Sequence, residues 1–80
     1  MISPRLRAAL GTNAPLAREE EGVAVRVDDV DRRYRDAIKS GATPLAPPAE
    51  TGGIRSGVVL DGSGNGIRVR MWSAPEGISG

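Results

Sequence analysis

Two stretches of the chain alternate strictly between apolar and other residues. Val23, Val25 and Val27 alternate with Ala24 and Arg26, and Ile67, Val69 and Met71 alternate with Arg68, Arg70 and Trp72. A period of two places successive side chains on opposite faces, so both stretches predict strands with one apolar face and one mixed face. Between them, Val30, Tyr34, Ala37 and Ile38 fall on one stripe at helical spacing and predict a helix within 30–42. Asp28, Asp29 and Asp31 stand where acids cap free N–H groups and favour the positive end of the helix dipole. Arg32–Asp36 and Asp31–Arg35 are opposite charges four apart on the outer face. Lys39 suits the negative end, and Gly41 is the natural left-handed stop.

After the helix, Thr43–Ala46 predicts a short extended segment. Pro44 confines it to an edge, and Pro47–Pro48 is expected to end it. A polar, glycine-rich loop over 49–54 leads to a strand over Arg55–Leu60. Asp61–Gly66, rich in Gly, Asp and Asn, predicts a tight turn into the last strand. Residues 1–21 are poorly patterned. Arg5–Leu10 can form one or two helical turns with Ser3 as cap and Pro4 at the first helical position, stopped by Gly11, Asn13 and Pro15. The expected organisation is an N-terminal arm or short helix (1–21), a β-α-β-β-β module (22–72) and a fraying tail (73–80).

The expected class is α+β: a four-stranded mixed sheet with one helix on one face. The helix stripe can cover Val23, Val25, Val27, Ile67, Val69 and Met71. The opposite face then shows Ala24, Arg26, Arg68, Arg70 and Trp72. A face carrying a tryptophan and several arginines is not a closed core. It is solvated, buried against another subunit, or the lining of a cleft.

Composition narrows this further. The chain has 80 residues, no Cys, no His and no Phe, with Trp72 and Tyr34 as its aromatics. So short a chain buries only roughly 60% of its extended surface on folding. Disulfides cannot help, and a structural zinc site lacks its usual ligands. Oligomerisation is the remaining common route to stability. A formal charge of +1, from 11 basic and 10 acidic residues, gives no general attraction to nucleic acid or an anionic membrane. No apolar run approaches the ~20 residues of a membrane span. MISPRLRAAL has no secretory core, so a cytoplasmic setting is the expectation.

The segment from Gly22 to Trp72 resembles the C-terminal βαβββ module of the glyoxalase/bleomycin-resistance family, the vicinal oxygen chelate superfamily. The resemblance rests on VDDVD leading into the helix, Tyr34 within it, Gly41-Ala42 at its end, the LAPP segment, Arg55, and LDGSGNGIRV in place of the family's D-P-D-G-N turn. It implies two modules forming a cupped sheet around a cavity. Here the second would come from another chain, by side-by-side or strand-exchanged dimerisation, unless the chain is a fragment. Family enzymes hold a divalent metal with a His or Gln on a module's first strand and a Glu on its last. Those positions fall on Gly22 and Arg68, so metal-dependent chemistry is not implied for this chain.

The residues themselves point the same way. No Cys or His is present as nucleophile or base, and Ser56, Ser63 and Ser73 have no base of the usual kind. Asp28 and Asp61 are explained as cap and turn residues. GSGNG precedes a strand, unlike a phosphate loop. No catalytic, metal or cofactor residues are assigned. The expected function is non-catalytic binding of an anionic or aromatic small molecule by Ala24, Arg26, Arg68, Arg70 and Trp72. The alternatives are a metal-independent enzyme of the same superfamily and a structural or decayed module with no ligand.

Overall fold

The computed structural model describes residues 2–11, 16–62 and 66–74. The elements run α1 (Pro4–Leu10), β1 (Ala17–Glu19), β2 (Gly22–Arg26), α2 (Val30–Lys39), β3 (Thr43–Thr51), β4 (Ile54–Leu60) and β5 (Arg68–Ser73). The strands form one mixed sheet in the order β1-β2-β5-β4-β3. The β2–β5 pair is parallel and every other pair is antiparallel.

Local chemistry sets both helices. In α1 the Ser3 hydroxyl accepts from the Leu6 N–H at 3.2 Å, Pro4 opens the first turn, and Gly11 closes the helix at φ 65°. In α2 the Asp29 carboxylate accepts from the Arg32 N–H at 3.2 Å. At the other end the Gly41 N–H donates to the Ile38 carbonyl and the Ala42 N–H to the Ala37 carbonyl, both at 3.1 Å. These two bonds form a Schellman motif, and Gly41, at φ 108°, supplies its left-handed residue. The expected helix stripe is the buried one. Val30 and Ala37 are fully buried, and Tyr34 and Ile38 pack against the same core.

The core lies between the helices and one face of the sheet. It joins Val25 and Val27 of the β2 region, Val59 of β4, and Val69 and Met71 of β5, with Val23 and Ile67 at its margin. At the same level, Gly57 sits opposite Met71 and under Tyr34. A Cβ there would approach Tyr34 Cδ2 to 3.2 Å, so the missing side chain makes room for the ring. Helix α1 packs on α2 and brings Leu6 and Leu10 into the core with Ile2.

Four expectations need correcting. First, the described residues form a sheet of five strands, not four, covered by two helices, not one. Strand β1 is only three residues long and lies within a charged run, so it carries no period. Its strand geometry comes from pairing with β2, Arg18 opposite Val23. Second, Pro47–Pro48 does not end β3, which runs to Thr51. It is an edge strand and shifts register between Pro44 and Ala46 and again between Ala46 and Ala49, which accommodates residues that cannot donate to the ladder. Third, the expected 49–54 loop is a hairpin. Thr51 pairs with Ile54 around Gly52 and Gly53, at φ 60° and 81°, as a two-residue turn matched to strand twist requires. Fourth, the expected pairs along α2 are replaced. Asp31 pairs with Arg55 of β4 at 2.6 Å, and Asp36 lies 3.8 Å from Arg33.

Part of the expected Asp61–Gly66 turn (63–65), the helix stops Asn13 and Pro15, and the tail over 75–80 lie outside the described residues. Asp61 does more than turn the chain. It is 4% exposed, its N–H donates to the Ile67 carbonyl at 2.9 Å, and its carboxylate accepts from the Ser3 N–H at 2.6 Å, tying α1 to the end of β4. Among the described residues no helix is long and apolar enough to cross a membrane.

Candidate functional site

Both helices lie on one side of the sheet, and among the described residues no helix covers the other side. Strand register places the five candidate residues on that open side. Arg68 is beside Gly22, Arg70 beside Ala24, and Trp72 beside Arg26 across the parallel β2–β5 pair. On β4, Leu60, Val58 and Ser56 stand opposite Arg68, Arg70 and Trp72. The face is therefore one row of charged and aromatic side chains on β5, with Arg26 beside its Trp72 end on β2 and with Val58 and Leu60 along the β4 side.

The three arginines have different surroundings. Arg70 makes a two-pronged pair with Glu19 of β1: Nη2 donates to Oε2 at 2.7 Å and Nε to Oε1 at 3.2 Å. The donated bonds hold the Glu19 carboxyl below its ordinary value and raise Arg70 in turn. Arg68 donates to Glu21, in the β1–β2 turn, at 2.7 Å. Both pairs are solvent-exposed, with side-chain exposures of 38% and 39% for Arg70–Glu19 and 53% and 73% for Arg68–Glu21. Exposed pairs of this kind contribute little to stability, because water and salt screen them. Arg26 has no carboxylate partner among the described residues. Its guanidinium carbon lies 5.4 Å from the centre of the Trp72 ring, a cation–π arrangement. Ala24 is 4% exposed and forms the floor between these groups.

Two hollows adjoin the face. A small one of about 120 Å³ lies over the Glu19–Arg70 and Glu21–Arg68 pairs, with Val58 in its wall. A wider, open depression of about 690 Å³ lies at the end of the sheet, where Arg26 and Arg55 meet Asp28 and Glu50. Of the five candidates only Arg26 lines it. Arg55 there is engaged by Asp31, and Asp28 by Arg33, whose guanidinium holds the Asp28 carboxyl down to about 2.

The two positions that the family resemblance aligns with metal ligands, Gly22 and Arg68, are direct cross-strand neighbours. The residues there do not suit a cation. A Cβ at Gly22 would run into the Arg68 carbonyl oxygen, and the Arg68 side chain already places a positive charge beside it. Among the described residues, no group of three or more His, Cys, Asp or Glu is arranged to hold a metal ion.

The sequence reading missed Glu19 and Glu21 as members of this face. Their signal was weak: a Glu two residues from another Glu, matching the spacing of Arg68 and Arg70. Only the fold reveals the match, since the partners lie 51 and 47 residues apart.

Fold and face together define an α+β protein whose mixed sheet is helix-covered on one side and charged and aromatic on the other. Its strand order is coarsely similar to a βαβββ module. No protein-family model matches the chain, and no curated protein matches it.

Proposed function

We propose that the chain is a non-catalytic small-molecule binding protein of the glyoxalase/bleomycin-resistance type, its open sheet face forming half of a cavity that a second copy completes. The observation that carries the reading is Arg26 stacked over Trp72 on the side of the sheet without helices. A cation held against a flat ring offers one charged contact and one apolar surface to a planar anionic ligand. The sequence of β2 to β5, with β2 parallel to β5, supports the family assignment. Binding without catalysis is favoured by the residues on the face. Its carboxylates are engaged as partners of arginine, and Tyr34 packs on the helix side. The engaged glutamates also give specific support to a second reading, a purely structural face that takes no ligand.

Trp72 is the only tryptophan, which makes it a clean reporter. The test is titration with 1-anilinonaphthalene-8-sulfonate, an aromatic monoanion that accepts energy from tryptophan, together with sedimentation equilibrium. The expected result is a dimer whose Trp72 emission is transferred to the probe in a saturable way. A monomer at all concentrations with only linear, unsaturable transfer would overturn the proposal in favour of the structural reading.

A further inference from the structure

We infer that Glu19 and Glu21 act as a charge filter that makes the open face selective for singly charged aromatic anions over multiply charged ones. This rests on the reading of that face as a ligand surface and adds the class of ligand it accepts. Three guanidinium groups lie on the face, and a ligand surface bearing three such groups would ordinarily favour phosphates and other polyanions. Here the β1 strand and its turn bring two carboxylates onto two of them, at 2.7 Å in each case. Arg26, stacked on Trp72, is left as the single uncompensated cation of the set.

The arrangement is positional as well as arithmetic. The small hollow over the paired arginines is walled by Glu19 and Glu21, so a second or third negative group reaching toward Arg68 or Arg70 meets a carboxylate first. Like charges brought together at a binding surface are a standard means of rejecting the wrong partner. A ring with one acidic group avoids that encounter. Its charge can meet Arg26 while its body lies along Trp72, with Ser56 opposite on the next strand. The pairs are exposed and individually weak, so the glutamates exclude by charge rather than by a closed lid.

The test compares two fluorescent probes at low ionic strength, where surface charge is least screened. One is 1-anilinonaphthalene-8-sulfonate, with one sulfonate; the other is 8-hydroxypyrene-1,3,6-trisulfonate, with three. The parent chain is expected to bind the monosulfonate at least about tenfold more tightly than the trisulfonate. In Glu19→Gln/Glu21→Gln the trisulfonate should gain about tenfold or more and the monosulfonate less than about threefold. Glu20→Gln, at the carboxylate between them in the turn, is the positional control. It removes a nearby charge that has no ion-pair partner on the face among the described residues, and it should leave the ratio unchanged. Circular dichroism confirms that the variants are folded. Monosulfonate binding with an unaltered ratio in the double variant, or the same change from Glu20→Gln, overturns the charge filter alone. Absence of saturable binding by either probe to any of the chains overturns the ligand-face reading and the filter with it.

Discussion

Replacing Leu6 by Ala asks whether helix α1 belongs to the folded unit. Leu6 is 1% exposed and sits in the same cluster as Leu10, Val30 and Met71. Truncating a buried leucine to alanine costs about 2–5 kcal/mol, through lost transfer energy and the cavity left behind. A domain of this size is held by only about 4–12 kcal/mol, at 0.05–0.15 kcal/mol per residue, so one side chain represents a large part of the whole. Alanine is the better helix former, so the loss cannot be blamed on helix propensity. At about 4–8 °C per kcal/mol for a chain of this length, the melting temperature should fall by roughly 8–40 °C. Leu45→Ala is the matched control, because Leu45 is 43% exposed and its truncation should stay within about 0.5 kcal/mol. The assay is thermal and urea unfolding followed by circular dichroism, with both variants measured beside the parent. If Leu6→Ala melts within about 3 °C of Leu45→Ala, the cavity argument is refuted and residues 2–11 behave as an arm, not as part of the core.

Two further outcomes follow. Val69 is fully buried while Arg70 points to the open face, so Val69→Asp should unfold the chain and Arg70→Ala should leave a cooperative melt; the reverse order of damage would show that the register is wrong. Asp28 accepts two bonds from Arg33, which bring its carboxyl from 3.8 down to about 2. A depressed folded value means stabilisation that is complete above 3.8 and is lost as pH falls through about 2. Carbon-13 NMR should find the Asp28 carboxyl titrating near 2 in the native chain and returning toward 3.8 in Arg33→Ala; a native midpoint already near 3.8 would contradict the Arg33 contact.

The parts of the fold that could be read from the sequence are those whose periodicity is local. The alternation of β2 and β5 and the stripe of α2 survive because each buries one face against the same core. The caps Ser3, Gly11 and Gly41 were legible for the same reason, since they bond within a few residues of themselves. The cap of α2, however, is Asp29 and not the expected Asp28, which binds Arg33 instead. What was not legible depends on neighbours distant in sequence. Strand β1 exists because β2 offers it an edge, and β3 can carry Pro47–Pro48 because its outer side needs no partner. Helix α1 was legible only as one or two turns over Arg5–Leu10 capped by Ser3, and not as part of the core that Leu6 and Leu10 join with Ile2. On the candidate site, register brought Arg26, Arg68, Arg70 and Trp72 to one face as the alternation implies. The glutamates that pair with two of the arginines depend on β1 adding to the sheet beside β2, and residue identity alone does not encode that.

The two edges of the sheet are chemically unequal, and this sets how copies of the molecule can polymerise through their strands. Along β3, three of nine residues are prolines without an N–H, and two bulges break the ladder. Along β1 the backbone is regular and exposed. In polymer terms the molecule is a monofunctional monomer: it has one reactive end and one terminator. Two copies joining through β1 would present their proline-broken β3 edges to a third, so among the described strands the second edge disfavours further growth.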